Sequence, residues 1–292
     1  MSQTRTIAKG VFAATNAFSV NGKLTNFSLD NLIFAVTASA SASPSAVSDA
    51  DLAKMVVRVQ LKNSKGANAI IINSVPLNIL ARYSDYIAGW GSNDSDKFGG
   101  IAVPVGNIVV DGDDEIDVTI SGTGLSQEYT VSVFGYDYLV GPEKILLFDF
   151  VDASATQTYQ QVDALAVYLA LAEGSTPSDS NSIAVNDFYG RNIITELESM
   201  ALGAALARSG DFDDFGPVWA DDTGLSQNMS FKASSDNEMF LVVRRFFDIQ
   251  RMGLGQQSVI DFTNLLQDIQ RTNPDKYKIL QYTAKLEASF SK

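Results

Sequence analysis

Hydrophobic and polar positions alternate along much of this chain in short runs. In "KMVVRVQLK" (54–62), Val57, Val59 and Leu61 alternate with Arg58, Gln60 and Lys62, which predicts a strand with one buried and one wet face. Runs rich in Val, Ile, Phe and Tyr, bounded by Gly, Asn, Asp and Ser, predict further strands at 23–29, 31–38, 67–73, 101–110, 115–122 and 128–139. "SASASPSAVSD" (39–49) is a small-residue loop, and "SGTGLSQ" (121–127) is a turn. The most apolar run, "KILLFDFV" (144–151), has the length of a strand and not of a membrane span.

The period changes at "SVPLNILARYSDYIAGW" (74–90), where a helix is expected. Ser74 serves as its N-cap, Pro76 sits in the first turn, and Leu80, Tyr83 and Ile87 share a face. A second helix is expected over 188–207. In the tail, Val259, Phe262, Leu266 and Ile269 share a helical face over 258–272, and another helix follows Pro274. The tail carries Lys276, Lys278, Lys285 and Lys292. It either packs on its own subunit or reaches a neighbour.

The second half repeats the order of the first. "DSDKFGG" (94–100) and "DFDDFGP" (211–217) both fit Asp-x-Asp-x-Phe-Gly, 117 positions apart. "DALAVYLALAE" (163–173) is matched with 54–62, "SNSIAVND" (180–187) with "GANAIIIN" (66–73), and Asn192-Ile193-Ile194 with Asn78-Ile79-Leu80. "TGLSQ" occurs at 123–127 and 223–227, out of register with the rest, and is taken as coincidence. Two all-β units of roughly seven or eight strands each follow, the strand count of a sandwich or jelly roll. The expected fold class is all-β: two tandem jelly-roll barrels with short flanking helices and a helical C-terminal tail. The expected division is a first barrel with an N-terminal arm (1–140), a second barrel (141–248) and the tail (249–292).

Composition narrows the function. The 292 residues are 46% hydrophobic, enough for a substantial core, and the net charge of −13 opposes direct nucleic-acid binding. With no Cys and no His there are no disulfides, no thiolate metal sites and no Ser-His-Asp or Cys-His catalysis. Carboxylate-pair and Ser-Lys chemistry survive. The N-terminus has no apolar core of signal-peptide length, so synthesis in the cytoplasm is expected.

No constellation supports a catalytic, cofactor-binding or metal assignment. The loops holding Asp94/Asp96 and Asp211/Asp213 carry oxygen ligands of the kind calcium takes, but they lack EF-hand spacing, and Asp also suits a solvated turn. "DGDDEID" (111–117) reads as a hairpin loop and not as two acids facing across a cleft. "GLGQQS" (253–258) reads as a linker and "RRFF" (244–247) as an edge or interface feature. Trp90 and Trp219 flank the acidic loops, as exposed platforms for sugar or as partly buried core.

The order of the paired runs "KMVVRVQLK…ANAIIIN…LNILARYSDYI" and "DALAVYLALAE…SNSIAVND…NIITELESM", with the late strands "EYTVSVFGYDYL" and "EMFLVVRRFF", resembles the double jelly-roll major capsid proteins of tailless icosahedral viruses with an internal membrane, in particular the smaller bacteriophage members. The resemblance covers roughly residues 20 to 248 and is one of architecture. It implies a non-enzymatic virion protein made in the host cytoplasm. It further implies homotrimers forming pseudo-hexagonal capsomers, contacts with neighbouring capsomers and with penton or minor capsid proteins, and terminal arms that touch membrane lipid. The alternatives are a virion-borne or surface carbohydrate-binding double barrel and, further off, a carboxylate enzyme.

Overall fold

The computed structural model describes residues 3–14, 16–38, 47–62, 68–88, 99–110, 114–137, 145–152, 159–162, 164–171, 182–186, 192–194, 215–220, 228–232 and 238–246. The first half contributes β1 (Gln3–Phe12), β2 (Phe18–Leu24), β3 (Phe27–Ala38), a one-turn helix α1 (Asp49–Leu52), β4 (Met55–Lys62) and β5 (Asn68–Pro76). Helix α2 (Leu77–Ala88), β6 (Gly99–Val110), β7 (Glu115–Gly122) and β8 (Tyr129–Asp137) complete it. The second half contributes β9 (Ile145–Asp152), β10 (Tyr159–Val162), β11 (Ala164–Leu171), β12 (Ser182–Asn186), β13 (Asn192–Ile194), β14 (Phe215–Ala220), β15 (Asn228–Lys232) and β16 (Glu238–Phe246).

Strands β1 to β8 form two layers, β1-β8-β3-β6 and β2-β7-β4-β5. Strands β9 to β16 form β9-β16-β11-β14 and β10-β15-β12-β13. The two orders agree position for position. Eight antiparallel strands wound this way, with the last lying beside the first, make a jelly roll. The chain is therefore two jelly rolls in tandem. They are also joined: β5 pairs with β9 in parallel, through Ile72 opposite Phe148 and Asn73 opposite Asp149. That pairing fuses one layer of each barrel into a single eight-stranded sheet.

Side-chain alternation explains the first barrel. On β8, Tyr129, Val131 and Val133 are buried and the residues between them are half-buried. Val57 and Val59 on β4, Ile116, Val118 and Ile120 on β7, and Leu32, Phe34 and Val36 on β3 join them in one core. The second barrel's β9-β16-β11-β14 layer departs from alternation because both of its faces are covered. Phe148, Ala166, Tyr168, Ala170, Leu241 and Val243 belong to the core shared with the first barrel. Leu147, Val151, Val167, Leu169, Phe240 and Val242 lie between them, on the opposite face, and are buried too. Strands buried on both sides read as continuous apolar runs, which is why 144–151 and 163–173 show no clean period of two.

Several expectations need correction. The residues matched as repeats are one strand out of step. β11 occupies the third position of its barrel, the place of β3 and not of β4, and β12 occupies the place of β4 and not of β5. The offset between equivalent strands is not constant; it falls from 142 residues at the first pair (Gln3 and Ile145) to 109 at the last (Tyr129 and Glu238). One anchor therefore sets one strand only. That strand is the sixth of each barrel: β6 begins at Gly99 and β14 at Phe215, each in the Phe-Gly of the acidic motif. Ser74 is not a helix cap. It lies within β5 with φ +54, and Pro76 ends the strand, so the helix starts at Leu77. Ile87 does not share the buried face of Leu80 and Tyr83, being 48% exposed. The helix expected from 188 is interrupted at its start by β13, and its remainder lies outside the described residues. Strand β1 begins already at Gln3, near the N-terminus.

Candidate functional site

The feature that sets this chain apart from two independent barrels is the junction between them, and it is built from both sides of the fused sheet. Helix α2 leaves the first barrel and lays aromatic side chains on the second. Tyr83 meets Phe148 and Tyr168 edge to face, with ring centroids 5.3 Å apart in both pairs. Tyr86 meets Tyr168 at 5.7 Å and Phe215 at 6.3 Å, and Tyr168 stacks on Phe215 at 5.3 Å. Offset and T-shaped geometries of this kind add to the area the rings bury. Burial pushes the phenols of Tyr83 and Tyr168 up, Tyr168 to about 12, with a neighbouring tyrosine adding to the effect in each case.

Across the sheet, the junction is polar. Asn73 Nδ2 donates to Asp149 Oδ1 at 3.2 Å. Arg244 Nε lies 2.5 Å from Asp149 Oδ2, an ion pair whose angle does not make it a hydrogen bond. Asp149 is 7% exposed. A buried carboxylate without partners would carry a large desolvation cost, so the pair from Asn73 and Arg244 makes the position tolerable.

Helix α1 acts as a clip on α2 and on the turn before β8. Ser48 caps it, accepting from Asp51 N at 3.2 Å. Asp49 Oδ2 accepts from Asn78 Nδ2 at 3.2 Å and from Arg82 at 3.1 Å, both on α2. Asp51, 1% exposed, accepts from Ser126 N at 2.9 Å, from Tyr129 Oη at 2.7 Å, from the Ser126 hydroxyl and from Lys54. Burial alone would raise its carboxyl. The bonds from Ser126, Tyr129 and Lys54 outweigh that and hold it below the ordinary carboxylate range.

Asp30 shows the opposite balance. It is 5% exposed, and Asn31 Nδ2 donates to its Oδ2 at 3.1 Å, while Oδ1 has no hydrogen-bond partner. Burial, and then the charge of Asp137, raise its pKa.

Of 111–117, residues 111–113 lie outside the described residues. Glu115 and Asp117 are strand residues on β7, facing Lys23 and Lys62: Lys23 Nζ is 3.0 Å from Glu115 Oε1, and Lys62 pairs with Asp117. The acids are engaged in a cross-strand charge ladder. Arg244 of "RRFF" lies on β16, an interior strand of the fused sheet, and is the ion-pair partner of Asp149 on the neighbouring β9. Trp219 lies on β14 opposite Val167. Asp94, Asp96, Asp211, Asp213, Trp90, residues 253–258 and the C-terminal tail lie outside the described residues. Among the described residues, no three acidic, Cys or His side chains converge on a point that would hold a metal. No helix there is long and apolar enough to cross a membrane. Sequence reasoning missed Asp149 and Asp51. Asp149 had a signal, a lone carboxylate in the apolar run "KILLFDFV"; Asp51 in "DADLAK" had none.

The fold and its junction define an all-β double jelly roll whose two barrels form one unit. Among solved structures, the chain is similar to the major capsid protein P2 from bacteriophage PM2, with a TM-score of 0.50 and 11% identity, over 84% of this chain and 97% of that one. It is also similar to the major capsid protein of Sulfolobus Turreted Icosahedral Virus, with a TM-score of 0.48 and 10% identity, over 87% of this chain and 98% of that one. No protein-family model matches the sequence, and no curated protein matches it. At 11% identity the likeness to the PM2 protein speaks to the fold alone.

Proposed function

We propose that the protein is a major capsid protein that self-assembles as a homotrimer, its six barrels forming a pseudo-hexagonal capsomer of an icosahedral virion shell. The observation that carries this reading is the double jelly roll itself, similar over 84% of this chain to the PM2 capsid protein. The fused sheet and the α2 aromatic contacts support it, since a shell subunit made of two barrels has to keep them in fixed relation. In that role no residue is catalytic, and none need bind a cofactor or a metal. The charge of −13 keeps it off nucleic acid and suits a shell separated from the genome by lipid. Its partners are other copies of itself, penton or minor capsid proteins, and membrane lipid, which the lysines of the tail would meet. The proposed division is 1–140 and 141–248 for the barrels and 249–292 for the tail.

Light scattering of the purified protein at two concentrations and two salt levels tests this. A stable mass of three times 31.4 kDa is expected, with pseudo-hexagonal particles in negative stain. A monomer under all conditions overturns it.

A further inference from the structure

The two barrels share a strand order, so each strand of one has an equivalent in the other, and the equivalents can be compared for what lies beside them. β9 is the first strand of the second barrel, and its outer edge is taken by β5. β5 is the fifth strand of the first barrel, and its outer edge is taken by β9. The equivalent of β9 is β1, and the equivalent of β5 is β13. Both end their sheets: β1 in β1-β8-β3-β6 and β13 in β10-β15-β12-β13. Among the described residues neither has a strand on its outer side. One chain thus contains one completed junction between barrels and the two unmatched halves of a second.

The sheet faces repeat the asymmetry. The outer face of β9-β16-β11-β14 is buried, with α2 against Phe148, Tyr168 and Phe215, and Tyr168 opposite Leu241 at 7% and 0% exposure. On the equivalent face of the first barrel, Ile33 stands opposite Phe134, and both remain half-buried. Val11, on β1, is 59% exposed, the highest value among the described large hydrophobic residues. An open strand edge with apolar residues beside it is a template for strand addition.

We propose that β1 is completed by β13 of a second copy of this chain, added in parallel as β9 is to β5. This rests on the reading of the protein as a self-assembling shell subunit and names the surface through which it assembles. The contact is heterologous: one copy presents β13 and the next presents β1. A repeated heterologous contact makes a ring when its rotation closes, which is the arrangement the proposed homotrimer requires.

The absence of cysteine makes the test direct. Single cysteines are introduced at the exposed β1 positions, Thr6→Cys, Lys9→Cys and Val11→Cys, and separately at β13, Asn192→Cys, Ile193→Cys and Ile194→Cys. Chains carrying one substitution of each kind are oxidised and run on non-reducing gels, with the mass in solution measured in parallel. Cross-linked dimers and trimers from at least one combined pair are expected, with none from either single substitution alone. Cross-linking of a β1 cysteine with its own copy would mean a symmetric contact and overturn the proposal. A trimeric mass with no cross-link in any pair overturns it while leaving the capsomer reading standing. A monomeric mass removes both.

Discussion

Asn73 and Asp149 face each other across the single parallel strand pair among the described residues, the amide nitrogen of Asn73 donating to Asp149 Oδ1 at 3.2 Å. They belong to different barrels, and Arg244 approaches the same carboxylate from the other side. Asp149→Ala leaves Arg244 without its counter-ion and Asn73 without its acceptor. A loss of about 2 kcal/mol in folding stability is expected, less than for a fully buried pair because Arg244 is partly exposed. Asn73→Ala should cost about 1 kcal/mol. The double variant should cost less than the sum, since both remove one bond. Urea denaturation of the three variants measures this; strict additivity would show that the two residues do not interact.

The aromatic contacts of α2 form the other half of the junction. Tyr168→Ala removes a ring that touches Tyr83, Tyr86 and Phe215 together. The expected loss is about 3–5 kcal/mol. Tyr168→Phe, which keeps the ring, should stay within about 1 kcal/mol of the parent. Thermal melts would separate these outcomes. Equal losses for both would place the importance of Tyr168 in its hydroxyl and not in its ring.

Asp51 and Asp30 should respond to acid in opposite directions. The folded pKa of Asp51 is depressed, so its contribution is complete at neutral pH and is lost as pH falls through and below the ordinary carboxylate value of 3.8. Asp51→Asn should therefore destabilise the protein at pH 7 and flatten the acid limb of its stability profile. The folded pKa of Asp30 is raised, so its charge opposes folding above that value and the penalty disappears on protonation. Asp30→Asn should stabilise the protein at pH 7, with the gain vanishing in acid. Denaturant midpoints between pH 7 and pH 3 test both, and a gain for Asp30→Asn that persists in acid would contradict the assignment.

Gly22 marks the place where β1 and β2, strands of different layers, cross closely. A Cβ there would overlap the carbonyl oxygen of Ile7, and Ala8 Cβ lies 2.6 Å from the same point. Gly22→Ala should cost about 1–3 kcal/mol through this overlap, since backbone has little room to yield. Gly124, with φ +73 and nothing within 4 Å of its Cβ position, should lose stability on substitution only through backbone strain. Equal and small losses at both sites would contradict the close approach at Gly22.

The first barrel was largely legible in the sequence because strands such as β4, β7 and β8 alternate buried residues with less buried ones. Val57, Val59 and Leu61 announce β4 by alternation. The second barrel was harder for the same physical reason in reverse: both faces of β9, β11 and β16 are buried, with α2 against Phe148 and Tyr168, so runs such as "KILLFDFV" show apolarity without orientation. The repeat was visible but slipped by one strand. Asp-x-Asp-x-Phe-Gly correctly located β6 and β14, and connections of unequal length shifted everything counted back from it. Ser74 has the residue type of a helix cap, yet the pairing of β5 with β4 continues to Pro76 and overrides that local preference. The junction could not be read at all, since it depends on Asn73, Asp149 and Arg244 meeting from three strands distant in sequence.

The fused sheet has a mechanical consequence. A chain whose barrels were joined only by a linker could bend between them, and a curved surface tiled with such chains could take up its curvature inside each tile. Here the backbone hydrogen bonds of β5 and β9 continue one barrel into the other, and α2 braces the outer side. Each chain is then a stiff double brick. Any curvature in a surface built from it has to be absorbed in the mortar lines between chains, so differences in shell radius would be written into those seams and not into the subunit.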